Sequence, residues 1–117
     1  MKFKSELIER MYQAKNLLES DLQHPPSIAE LAHTLGMNET YLKIYFKAAV
    51  GSTVYAFVKE KRVQRAQQLL LEGEMTVSEI AYVVGYKHPT HFTAAFKKAT
   101  GVCPKDFVGV IFLDTQI

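Results

Sequence analysis

Residues 69–101, LLLEGEMTVSEIAYVVGYKHPTHFTAAFKKATG, decide how this chain folds. Thr76 and Glu79 stand three apart at the head of an apolar run, the spacing at which an N-cap side chain and a glutamate each accept the other's backbone N–H. Val77, Ile80, Ala81 and Val84 then share one helical face, and Gly85 can adopt the left-handed backbone that stops a helix. After a tight turn, Phe92, Ala95, Phe96 and Ala99 make a second inward stripe closed by Gly101. The stretch from Ser27 to Gly51 repeats the pattern. Ser27 and Glu30 are its capping pair, Ile28, Leu31, Ala32 and Leu35 its first stripe, and Gly36 its stop; Leu42, Tyr45, Phe46 and Ala49 follow. Gly36 and Gly85 lie 49 positions apart, whereas Gly51 and Gly101 lie 50 apart, so the later copy has one extra residue in its turn. The repeat predicts two helix-turn-helix units, 27–51 and 76–101, in one chain.

The rest of the chain reads as all-α, with about seven helices. Leu7, Met11, Ala14, Leu18 and Leu22 give a first helix over 5–22, ended at His24-Pro25-Pro26 because a residue before proline avoids helical geometry. Ser52-Thr53 caps a long linker helix over 53–72. In it Val54, Phe57, Val58, Lys61, Arg65, Ala66, Leu69 and Leu70 are spaced to touch both neighbours. Pro104 suits the first turn of a short last helix, 104–109. The tail 108–117, with its VIFLDTQI, has strand-like propensity and stays unassigned.

Composition narrows the function. At 117 residues and 48% hydrophobic, the chain holds one domain, or two very small fused ones, with a modest core. A single cysteine excludes a disulfide framework and points to the reducing cytoplasm. No apolar run approaches the length of a membrane span, and the N-terminus lacks a signal-peptide core, so no membrane partner is expected. Net charge is only +2, but its distribution is uneven. Lys87, Lys97, Lys98 and Lys105 stand against Glu79 alone over 76–105, and no acidic residue falls between Glu79 and Asp106. That gives the later unit a positive surface suited to nucleic acid, although a solvated basic face would look the same on charge alone.

The second helix of each unit has an outer stripe. In the first unit it is Thr40, Lys43, Ile44 and Lys47; in the second it is Thr90, His91, Ala94, Lys97 and Lys98. Lysines at the far ends suit phosphates, and residues nearer the N-termini suit base edges. Asn38, ahead of the first such helix, and Lys87 and His88, ahead of the second, complete the expected DNA-binding set. The linker helix, about 30 Å long at 1.5 Å per residue, is comparable with the roughly 34–36 Å between successive major-groove segments. One chain could therefore occupy both segments.

These residues resemble the DNA-binding domain of AraC/XylS-type bacterial transcription regulators over about residues 5–107. The most diagnostic part is Ile80-Ala81-x-x-x-Gly85-Tyr86, then Phe92-x-x-x-Phe96-Lys97-Lys98, Gly101 and Pro104-x-x-Phe107; Arg62, Ala66 and Leu69-Leu70 match the linker-helix pattern. The resemblance implies sequence-specific binding to double-stranded promoter DNA and transcriptional activation through RNA polymerase. Many members of that family carry an N-terminal effector or dimerisation domain; this chain reads either as a self-sufficient regulator or as a piece of a longer one, and the piece is favoured because its domain begins almost at once after Met1. Two departures bear on base preference: Ile44 and Ala94 stand where the family often has Arg, and His88-Pro89 where an acidic or serine cap is common.

Other classes fare less well. His88, His91 and Cys103 could start a metal site, but no fourth ligand has zinc spacing and Pro89 fits a helix start. No nucleophile–base constellation or phosphate-cradling glycine loop is present, so neither an enzyme nor a cofactor is expected. A helical protein–protein interaction module that does not bind DNA is the remaining rival, and salt-dependent duplex affinity separates the two.

Overall fold

The computed structural model describes residues 2–116, with side chains over 4–114. These residues form seven α-helices and no strand: α1 (Lys2–Ser20), α2 (Ile28–Leu35), α3 (Glu39–Val50), α4 (Val54–Glu72), α5 (Val77–Val83), α6 (Pro89–Thr100) and α7 (Pro104–Gln116).

Both capping pairs form. Ser27 Oγ accepts the Glu30 N–H at 3.1 Å while Glu30 Oε1 accepts the Ser27 N–H at 3.2 Å. The Thr76–Glu79 pair repeats this at 3.1 and 3.0 Å. The backbone N–H of the capping residue, then its side chain, holds each carboxyl below the ordinary glutamate range. Both units' first helices also stop alike. Gly36 (φ 64°) and Gly85 (φ 109°) turn the backbone left-handed. The next N–H, from Met37 or Tyr86, returns to the Ala32 or Ala81 carbonyl at 2.9 Å.

The chain divides into two compact units, one ending at Lys59 and the other beginning at Glu60. In the first, Met11, Ala14 and Leu18 of α1 meet Leu31, Ala32 and Leu35 of α2, Leu42 and Phe46 of α3, and Phe57 and Val58 from the start of α4. In the second, Val63, Ala66 and Leu69 of α4 meet Ile80, Ala81 and Val84, Phe92 and Phe96 of α6, and Phe107 of α7. Phe46 meets Phe57 edge-on at 5.5 Å, and Phe96 meets Phe107 at 5.4 Å. Truncating either fully buried ring, Phe46 or Phe96, to alanine would cost about 3–5 kcal/mol. These cores fix α3 and α6 in their units and decide which of their faces point outward.

Four expectations need correction. First, α1 runs Lys2–Ser20 rather than 5–22. Ser20 Oγ donates back to the Leu17 carbonyl, and Asp21 accepts the His24 N–H, so a turn begins before the prolines act. Second, the last helix does not end at 109, and the tail is not strand-like up to Gln116: α7 continues through it. Phe107 is buried and Ile111, one turn on, packs against the same core, and that helical stripe outweighs β-propensity; Ile117 lies outside the described residues. Third, Ala49 and Ala99, placed inward by periodicity, are exposed. Ala49 borders an open groove of about 280 Å³ with Ile8, Met11, Tyr12 and Lys15, and the next residue, Val50, is the one that packs against the first core. Fourth, Val63 is buried and Arg65 is exposed, its Nη1 donating to Gln68 along its own helix.

Candidate nucleic-acid interface

All twelve residues expected to meet DNA are exposed: Asn38, Thr40, Lys43, Ile44, Lys47, Lys87, His88, Thr90, His91, Ala94, Lys97 and Lys98. The burial of Leu42 and Phe46 turns Lys43, Ile44 and Lys47 outward on α3. The burial of Phe92 and Phe96 does the same for Thr90, His91, Ala94, Lys97 and Lys98 on α6. Ile44 is 55% exposed, an apolar side chain offered to solvent between two lysines.

The two helix starts differ chemically. Asn38 is the N-cap of α3, and its Oδ1 accepts the N–H of Thr40 at 2.7 Å and of Tyr41 at 3.4 Å. That oxygen is committed to the helix, which leaves the Asn38 side-chain amide N–H groups to donate outward. At α6 the extra turn residue is Lys87, and the N-cap His88 makes no side-chain cap bond; Pro89 at the first helical position instead presets the helical φ. The His88 imidazole instead packs edge-on against His91, centroids 5.1 Å apart. Cys103 does not join them, and among the described residues no three His, Cys, Asp or Glu side chains are placed to hold a metal ion. Lys47, and Lys97 with Lys98, sit in the last turns of α3 and α6, where a cation also complements the helix dipole.

Helices α3 and α6 match at a constant offset of 50, since Glu39–Val50 becomes Pro89–Thr100. That register pairs His91 with Tyr41 and Lys43 with Thr93, two residues that amphipathic reading passed over. Tyr41 is 57% exposed and stacks on Tyr45 at 6.0 Å; Thr93 is half-buried. Reading the 50-residue offset position by position would have found both.

Two capped helix-turn-helix units, each presenting one helix with a basic outer face, define a double helix-turn-helix domain. The family profile described as a helix-turn-helix domain matches residues 31–109, more than half of the chain. The chain belongs to the AraC-type helix-turn-helix family of DNA-binding transcription regulators, which are not enzymes. Among relatives, it is 30% identical over 106 residues to the "Probable transcriptional regulator LumQ" of Photobacterium leiognathi, covering 89% of this chain and 43% of LumQ. It is 28% identical over 80 residues to the xylose operon regulatory protein of Escherichia coli, covering 68% of this chain and 20% of that protein. The chain thus spans less than half the length of either. A transcriptional regulator from Chromobacterium violaceum has the same fold, with a TM-score of 0.79 at 23% identity over 85% of this chain and 88% of that one. The C-terminal domain of AraT from Geobacillus stearothermophilus gives 0.73 at 30% identity, over 86% and 82%. The DNA-binding domain of AdpA, solved with a target DNA, also shares the fold, at 0.73 and 23% identity over 89% and 90%. Among the described residues no helix is long and apolar enough to cross a membrane.

Proposed function

We propose that this chain binds promoter DNA sequence-specifically by placing α3 and α6 in successive major-groove segments, and so activates transcription through RNA polymerase. The observation that carries the reading is the uniform exposure of the twelve residues on and before two helices of matched register. Thr40, Lys43, Ile44, Thr90, His91 and Ala94 are the base-reading positions. Lys47, Lys87, Lys97 and Lys98 neutralise phosphates, helped by the absence of any acidic residue between Glu79 and Asp106. The E. coli relative is named a xylose operon regulatory protein, which favours a role at promoters. A longer cytoplasmic regulator, with an effector or dimerisation domain preceding this one, accords with the span of the relatives.

The deciding experiment is a duplex titration at two salt concentrations, followed by hydroxyl-radical footprinting on a selected site. The log–log salt slope should fall by about 0.9 per phosphate neutralised. Lys97→Ala or Lys98→Ala should weaken binding to all duplexes alike and make the slope shallower by about one unit. The footprint should show two protected groove segments centred about 10–10.5 base pairs apart. Duplex affinity absent at low salt would favour a helical protein-interaction module instead; a single protected segment would remove one recognition helix from the groove.

A further inference from the structure

The internal repeat reaches further back than the helix-turn-helix units. Arg10, Met11, Ala14, Leu17 and Leu18 of α1 recur as Arg62, Val63, Ala66, Leu69 and Leu70 of α4, each pair 52 positions apart. Each unit is therefore a three-helix repeat whose leading helix has an arginine at the same place, Arg10 or Arg62. The two arginines have different surroundings. Arg62 is half-buried, and its guanidinium lies 5.4 Å from the ring centre of Tyr86, which in turn packs on Phe92 at 5.6 Å. Tyr86 follows the turn glycine and donates its N–H to the Ala81 carbonyl. In the first unit that backbone place, with the same bond to Ala32, belongs to Met37.

Methionine offers no aromatic face, so Arg10 lacks the seat that Arg62 has. Arg10 is exposed and, among the described residues, has no hydrogen-bond, ion-pair or ring partner. The place is left as an open hollow of about 310 Å³, lined by Glu6, Leu7 and Arg10 of α1 and by Met37, Asn38 and Tyr41 among others. Arg10 thus borders the start of α3, where Asn38 and Thr40 enter the expected interface. Glu6, one turn before it in the same hollow, is its competing acid. We propose that Arg10 is a further DNA-phosphate contact, a cation released toward the duplex by the replacement of a turn tyrosine with Met37, while its repeat-mate Arg62 is held in its own unit by cation–π stacking. The inference rests on the DNA-binding reading given above.

Binding to a random duplex and to a selected site, across a salt series, tests it on four variants. Arg10→Ala should weaken both by a similar factor, roughly threefold at moderate salt, and reduce the slope by about one unit. Arg10→Lys, which keeps the charge, should retain most of the slope. Met37→Tyr leaves the arginine in place but supplies the missing ring; because Met37 packs against the first core, the readout is the salt slope, which should fall as it does in Arg10→Ala. Lys97→Ala serves as the reference for a phosphate contact in the other unit. If Arg10→Ala or Met37→Tyr binds like the parent while Lys97→Ala is weakened, the assignment of Arg10 is overturned and the DNA reading stands. If the parent shows no salt-dependent binding, both readings fall together.

Discussion

Gly36 and Gly109 offer the same substitution with opposite expected signs. An ideal Cβ built on either meets no heavy atom within 4 Å, so packing cannot decide the outcome. Backbone geometry must. Gly36 sits at φ 64°, ψ 38°, in the left-handed region, where an L side chain costs about 1–2 kcal/mol. Part of that is offset because alanine also restricts the unfolded chain, by about 0.4–1 kcal/mol. The net expectation for Gly36→Ala is a loss of about 1 kcal/mol. Gly109 lies inside α7 and has no positive φ. There alanine gains about 0.5–1 kcal/mol over glycine. At about 4 °C per kcal/mol for a domain of this size, Gly36→Ala should lower Tm by about 4 °C and Gly109→Ala should raise it by about 2–4 °C. Circular dichroism at 222 nm against temperature reads both. Because the residues belong to different units, a melt with two transitions would assign each shift to its own core. Shifts of the same sign would refute the claim that φ alone separates these sites. Gly36→Ala as stable as the parent would refute the left-handed stop as the reason for that glycine.

Ile44, exposed between Lys43 and Lys47, should read a thymine methyl; Ile44→Arg should shift that one position of a selected consensus toward guanine by about 1–3 kcal/mol. An unchanged consensus from parallel duplex selections would mean that Ile44 does not face the groove. The capping glutamates set a pH dependence: because Glu30 and Glu79 have folded pKa values below the unfolded one, their stabilisation is present above about pH 4.3 and is lost as pH falls through the folded values. Melts of the parent at pH 7 and pH 3 should therefore differ more than those of Glu30→Gln/Glu79→Gln, whose amides keep a capping oxygen but do not titrate.

Local rules made most of this fold legible. The capping pairs, stop glycines and apolar stripes are each written within about four residues, and the helices of both helix-turn-helix units lie where they predict them. What sequence hid depended on the exact helical phase or on a core that local patterning cannot see. Ala49 and Ala99 lie at the edge of the inward stripe, and Val50 and Thr100, one residue on, are the half-buried ones. The tail residue Ile111 becomes helical because the second core lies under it, and no residue within 108–117 announces that core. The outer stripes followed from the inner ones by subtraction, which is why their nine positions are exposed. Tyr41 and Thr93 escaped because amphipathicity treats each helix alone, whereas their significance lies in comparing two helices at a fixed offset. Base preference is a different matter, since exposure places a side chain on a face without saying which base lies beneath it.

Helix α4 has a practical consequence for anyone dissecting this protein. It supplies Phe57 and Val58 to one core and Val63, Ala66 and Leu69 to the other, so the boundary between the units falls inside a continuous helix. A fragment ending at Lys59 would keep a six-residue stub from Val54, far shorter than the roughly 12–15 residues at which isolated helices become even marginal. A fragment starting at Glu60 would open on four uncapped N–H groups in mid-helix, without the Thr53 hydroxyl that now accepts the Ala56 N–H. Expression of either half should thus retain α4 whole, and module swaps with relatives should be joined at residues 51–53 or 73–76, where the chain already bends.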